Sequence, residues 1–284
     1  MDITAVVFAF LSAVLMGTIG VFSKLTGLPA EIITFFRLMI GAGFMLLYLL
    51  MIGNLRTAKA SPSWPVILNG GLLAGFIVFY VQAMNYTSMA NTIMLVYLAP
   101  LAASVVAHFF LKERLTLTAF SLICLALFGF AMMMEFRIEL TSGSREFIGV
   151  CYGLMALASY AGFILINRLI KPEIHVYTRT FWQLLIGGCV MIPFILFSIK
   201  EVEPEHIPWL LGVGLFPGFL AILFAVAALS RLPVAVFGTI AYMEPVAVVT
   251  FGWTIFQETL SPMQMTGCSL IILSGILKTY VESR

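Results

Sequence analysis

Pro100, in Tyr97–Leu98–Ala99–Pro100, is followed thirteen residues later by Glu113, in Lys112–Glu113–Arg114–Leu115–Thr116. The block recurs 145 residues further on. Pro245, in Tyr242–Met243–Glu244–Pro245, is followed at the same spacing by Glu258, in Gln257–Glu258–Thr259–Leu260–Ser261. A block repeated at one fixed offset marks a chain made of two related units. The units are read as 1–137 and 147–284, with the join at 135–146.

Composition decides the solvent. Hydrophobic residues make up 62% of the chain and charged residues 10%, against roughly 25% charged in a soluble domain. Apolar runs reach the ~20 residues that cross a ~30 Å hydrocarbon core as helix. They predict ten spans: 3–24, 32–53, 65–84, 90–111, 115–134, 147–167, 179–199, 208–229, 234–256 and 262–281. The alternation of barrel strands is absent, so each span satisfies its backbone as a helix. The first span is too long for the apolar core of a signal peptide, and no Lys or Arg precedes it. Cys124, Cys151, Cys189 and Cys268 fall inside separate spans and read as buried thiols rather than a disulfide or metal clip. The net charge of +2 comes without a basic tract and does not point to nucleic acid.

Loop charge gives the orientation. The end carrying the N-terminus holds Arg56, Lys59, Lys112, Arg114, Arg168, Lys171, Arg179, Arg231, Lys278 and Arg284; the opposite end holds Lys24, Arg137, Arg145 and Lys200. Ten against four places both termini in the cytoplasm. Five spans per unit is an odd number, so the units run in opposite senses. The repeat carries the same message: the cytoplasmic copy has Lys112 and Arg114 where the external copy has Gln257 and Thr259. The expected fold is an all-α integral membrane protein of ten transmembrane helices in two inverted five-helix repeats. Gly71-x-x-x-Gly75 and Gly214-x-x-x-Gly218 predict close helix contacts. Trp64, Trp209 and Trp253 lie where interfacial anchors belong.

Glu244 is the acidic residue at the middle of a span. An ionised carboxylate is costly at that depth and commonly faces the bundle interior or a wet cavity. It reads as a proton or cation coupling site, as a partner for a substrate amine, or as a neutral Glu bonded to a neighbouring helix. Pro100 and Pro245 break their helices at matched depths by leaving the carbonyls four residues earlier without donors, and broken midplane helices are where carriers bind substrate. Candidate cavity residues are Thr18, Tyr80, Gln82, Asn91 and Tyr97 from the first unit, with Tyr160, Trp182, Gln183, Thr239 and Tyr242 from the second. Tyr97 and Tyr242 form the symmetric pair, expected to face one central cavity from opposite sides. Arg37, about six residues inside span two, either snorkels outward or serves as an anion or ion-pair site, with Gln183 as its uncharged echo. His108 reads as interfacial. No histidine pair is placed for a metal, and no catalytic residue, elbow, metalloprotease or Walker motif is present, so neither an enzyme nor an ATP-driven pump is expected.

These features together resemble the EamA family of the drug/metabolite transporter superfamily: ten spans in two inverted halves, Pro followed at thirteen by Glu–Arg–Leu or Glu–Thr–Leu, and Tyr86–Thr87–Ser88 ahead of span four. The chain departs from the family pattern at Met16, where a Trp is usual, and at Ala99, where a Glu is frequent. The resemblance implies that 1–137 and 147–284 are EamA-like repeats. It also implies a multi-pass carrier of the cytoplasmic (inner) membrane, needing no cofactor and no obligate protein partner, though compatible with a dimer. Its partners would be a small-molecule substrate and the bilayer. The implied activity is export of small metabolites such as amino acids or drugs by alternating access, coupled to protons or ions. Rival readings are an uptake carrier or exchanger of the same fold, a lipid flippase and a channel-like protein. The topology is checked with an impermeant thiol reagent: a cysteine at Ser142 should label from outside and one at Ser61 from inside, and the reverse pattern would exclude the inverted repeat.

Overall fold

The computed structural model describes residues 2–136, 144–196 and 199–283. Arg137 and Ser142, expected in the external linker, lie outside the described residues, as does Arg284. The described chain is helical throughout, without strands. In order the helices are α1 (Ile3–Thr26), α2 (Ala30–Met51), the short α3 (Leu55–Lys59), α4 (Trp64–Tyr86), α5 (Met89–Val96), α6 (Ala99–Phe110) and α7 (Leu117–Met133). Then come α8 (Ser144–Leu169), α9 (Val176–Ile195), α10 (Ile207–Val213), a π-helical turn (Gly214–Leu220), α11 (Ala221–Leu229), α12 (Val234–Ala241), α13 (Met243–Phe256) and α14 (Pro262–Ser283). Among the described residues, eight helical segments are long and apolar enough to span a membrane, and Leu117–Met133 is a shorter apolar helix. The expected span ends shift by a few residues: α8 begins at Ser144 rather than 147, and α9 runs over Val176–Ile195 rather than 179–199.

Local chemistry sets the boundaries. The Asp2 carboxylate accepts the Ala5 N–H at 3.3 Å and starts α1; Gly27, at φ 64°, ends it in the left-handed conformation. Fixed first by that backbone N–H and then by Arg231, the Asp2 carboxyl is held below its usual range. The two copies of the repeat fold alike in detail. Lys112 and Gln257 both adopt φ 56°, and the N–H groups of Glu113 and Glu258 return to the carbonyls of Ala107 and Gly252 at 3.3 and 3.2 Å. Thr116 and Ser261 then cap the next helix by accepting the N–H groups of Ala119 and Gln264. The paired helices break at Tyr97–Leu98 and at Tyr242, so the two prolines stand at the start of α6 and α13, where a missing N–H costs nothing. Inside the π-helical turn, Pro217 cannot donate, and the widened turn absorbs the lost bond.

Close packing between the chain's two parts runs through glycine. A Cβ on Gly41 would come within 3.1 Å of the Gly218 backbone, and one on Gly187 within 3.1 Å of the Gly70 carbonyl. In α4 the close approach therefore belongs to Gly70, whereas Gly71, singled out by its spacing, faces open space. The motif's four-residue period could not tell which of two neighbouring glycines meets α9. The main helix pairings are reciprocal: α1 packs on α11 and α13, while α8 packs on α4 and α6. Likewise α2 lies on the π-helical turn and α9 on α4, α2 with α9 and α7 with α14 map onto themselves, and α6 also packs on α12.

Gly267 of α14 shows how tight this seam is. A Cβ there would strike the Gly129 carbonyl and lie 2.7 Å from the Met133 backbone nitrogen, and backbone cannot swing aside. Gly267→Ala should therefore destabilise the detergent-solubilised protein by about 1–3 kcal/mol. Gly71→Ala should leave stability unchanged or raise it by up to ~1 kcal/mol. Thermal unfolding followed by fluorescence-detected size exclusion compares the two variants.

Candidate substrate-binding site

The break at Tyr242 starts a new helix inside the membrane-spanning segment, and Glu244 occupies its first turn. A carboxylate there faces the partial positive charge of the free N–H groups, which favours an anion at a depth where water does not. Gly17 lets α1 lie directly on this turn: a Cβ at residue 17 would sit 2.8 Å from the Ala247 side chain and 3.1 Å from the Glu244 carbonyl. Among the described residues, no hydrogen-bond donor or ion-pair partner reaches the Glu244 carboxylate.

Four groups, from three helices and a helix break, lie within electrostatic reach of that carboxylate: Arg37 of α2, Tyr80 of α4, Tyr97 at the first helix break, and Tyr160 of α8. Arg37 does not snorkel. It is 4% exposed, its Nε has no partner, and its own carbonyl rests against Gly218 of the π-helical turn. The rings form two groups. Tyr160 stacks on Phe76 at 5.0 Å, and Phe76 meets Tyr80 at 6.1 Å. Across the site Tyr97 packs on Phe130 at 4.3 Å. Tyr80, Tyr97, Tyr160 and Glu244 are each part-buried. A cation and an anion on different helices, with ring faces and phenolic groups in reach of the anion, can hold a dipolar ligand by its two ends and its apolar body.

Tyr97 and Tyr242 meet each other rather than standing apart. Their rings are 6.1 Å apart, and the fully buried Tyr242 O–H donates to the Tyr97 carbonyl at 2.6 Å. That carbonyl belongs to the helix break, so the tyrosine supplies a donor where the ladder is interrupted. Other expected cavity residues are spent elsewhere. Trp182 donates from Nε1 to the Ala60 carbonyl, and Gln183, fully buried, donates to Asn167 Oδ1. Asn91 donates to Thr87 and to Glu146. Gln82 lines a small cleft with Glu31, Val81, Met191 and Phe194. The hydroxyls of Thr18 and Thr239 bond back to Leu15 and Ala235 of their own helices. His108 accepts the Leu115 N–H beside the Glu113 carbonyl, as a loop brace.

Sequence reasoning missed the ties at the two ends of the bundle. At the end holding the N-terminus, Arg168 Nε lies 2.7 Å from Glu113 Oε1, and Arg231 lies 3.2 Å from Asp2. At the opposite end Lys24 pairs with Glu258, and Glu146 accepts from Thr87. The signal was present. Glu113 and Glu258 occupy the same place in the repeat, and so, one residue out of step, do Lys24 and Arg168.

The model of the EamA-like transporter family matches this chain twice, over residues 3–135 and 147–280. An uncharacterized transporter, YxxF, of Bacillus subtilis (strain 168) is 25% identical over 282 residues, covering 98% of this chain and 90% of the relative. Another uncharacterized transporter, from Archaeoglobus fulgidus, is 25% identical over 272 residues, covering 96% of this chain and 94% of its own. A protein solved by crystallography superimposes with a TM-score of 0.86 at 19% identity, with 99% of both chains covered, which establishes a shared fold. With both parts of the chain matched by the family model and relatives of nearly equal length named as transporters, the chain belongs to the EamA-like transporter family.

Proposed function

We propose that this membrane transporter is a secondary carrier that exports small dipolar metabolites, amino-acid-like in their charge pattern, by alternating access coupled to protons. The observation that carries the reading is the placement of Arg37 of α2 and Glu244 of α13 within electrostatic reach and without contact, with Tyr80, Tyr97 and Tyr160 in reach of the same carboxylate. Two unpaired opposite charges inside a bundle each cost several kcal/mol if nothing answers them. A ligand bearing a carboxylate and an amine answers both. Arg37 offers the planar fork that suits a carboxylate, and ring faces suit the ammonium and an apolar side chain.

The reciprocal packing of the two parts supports ten helices in two inverted repeats. Exchanging the parts turns the largest of these pairings into others that are also present: α1 on α11 becomes α8 on α4, and α2 on the π-helical turn becomes α9 on α4. Arg168, paired with Glu113, Arg231, paired with Asp2, and Arg179 lie at the end of the termini, whose excess of basic residues fits a cytoplasmic face. Export is the direction implied by the family resemblance. In the cycle, Glu244 takes a proton when substrate leaves it and yields the proton when the amine returns, so that one site answers to either cation.

Two measurements test this. A thermal-shift screen should show stabilisation by ligands that carry both a carboxylate and an amine, about 2.7 kcal/mol at a hundred times Kd. Decarboxylated and deaminated analogues should give none, and equal stabilisation by a plain amine would remove Arg37 from the site. In proteoliposomes Glu244→Gln, which keeps size and hydrogen bonding, should abolish uphill flux driven by a proton gradient while retaining substrate exchange. Undiminished driven flux would remove Glu244 from coupling.

A further inference from the structure

The two ends of the bundle are fastened by the same device. Each is an acidic residue thirteen positions after the helix-breaking proline, on a turn opened by a residue at φ 56°, paired with a basic residue near the end of the first long helix of the other part. Arg168 of α8 reaches Glu113 at one end, and Lys24 of α1 reaches Glu258 at the other. Both pairs join the first part to the second, at opposite ends of the bundle whose interior holds Arg37 and Glu244. The fasteners are unequal. The Arg168 and Glu113 side chains are 32% and 18% exposed, and Glu113 Oε2 also accepts the Val234 N–H at 2.8 Å, which ties the loop before α12 into the same knot. Lys24 and Glu258 are 52% and 50% exposed; the Lys24 ammonium also lies 4.5 Å from the Phe256 ring.

We propose that these two ion pairs are the latches of the transport cycle, released in alternation, and that the stronger Arg168–Glu113–Val234 knot sets the resting state closed at the end of the termini and ready to open at the Lys24–Glu258 end. The proposal rests on the alternating-access reading. Its physical content is that a two-state element biased at one end must answer at the other: removing the latch that holds one mouth shut populates the conformer open there, in which the opposite mouth is closed. A static brace has no such reach. Its loss loosens only its own neighbourhood.

Hydrogen exchange on the full protein in lipid vesicles distinguishes the two without any substrate. Lys24→Gln should speed exchange in segments 20–28 and 252–262 and slow it in 107–116 and 164–172. Arg168→Gln, which leaves Glu113 free to hold Val234, should do the reverse. For exposed pairs of this kind the shift should be about two- to fivefold, larger for Arg168→Gln than for Lys24→Gln. The charge-swapped double variant Lys24→Glu with Glu258→Lys should return both ends to the wild-type pattern. Faster exchange confined to the altered pair, or at both ends together, overturns the latch proposal. Gradient-driven uphill flux by a protein without reciprocal exchange would leave the carrier reading standing while removing the latches. Reciprocal exchange in a protein that moves no solute would do the opposite.

Discussion

Helices in hydrocarbon gain little by burying leucine against leucine, because lipid offers the same contact. What holds this bundle together is the approach of backbone to backbone, and that approach needs residues without side chains. Gly17 lies on the Glu244 turn, Gly41 on Gly218, Gly70 beside Gly187, Gly129 against Gly267, and Gly238 on Pro100. Each of these contacts joins the first part of the chain to the second. The aromatic and ionic groups of the interior are positioned by this seam: Arg37 is where it is because its carbonyl rests on Gly218, and Glu244 because α1 presses on its turn at Gly17.

The same seam explains how a carboxylate and a guanidinium coexist unpaired at depth. The two helix breaks, at Tyr97 and Tyr242, expose fresh helix starts inside the bundle, and Glu244 sits on one of them. Its repeat counterpart, Ala99, leaves the other start uncharged. Of the two helix starts, one thus carries a carboxylate and the other does not. Repeated architecture supplies two equivalent places, and a single substitution between them makes the site directional in charge. Tyr242, whose hydroxyl fills the bond vacated at the first break, stitches the two starts together.

Much of this was legible from residue spacing. The 145-residue offset located the breaks and the matched loops with Lys112 and Gln257, because a proline marks a break wherever it recurs, whereas the caps at Thr116 and Ser261 and the positive φ of Lys112 and Gln257 emerge from the structure. The side-chain partners were less legible. A span apolar on every face does not declare which face looks inward, so Gln82, Asn91, Trp182 and Gln183 could not be sorted from Tyr80 and Tyr160 by pattern. Phe76, which joins Tyr80 to Tyr160, carries no polar atom to draw notice. Arg37 was ambiguous because its stem is long enough to reach the interface, and only the packing of α2 on the π-helical turn turns it inward.

That turn has a bearing on the chain's tolerance of length. A regular helix advances each side chain by about 100°, and the widened turn at Gly214–Leu220 inserts a phase offset between α10 and α11. Downstream of it, the Ala221 carbonyl accepts the Ser12 hydroxyl at 2.9 Å, and Phe224 stacks on Phe8 at 5.2 Å. Removing one residue from the turn would let it close into ordinary α-helix, but it would rotate Ala221 and Phe224 off α1. The segment therefore works as a fixed frameshift in three dimensions: α1 reads α11 in a frame that an uninterrupted helix of the same composition does not present.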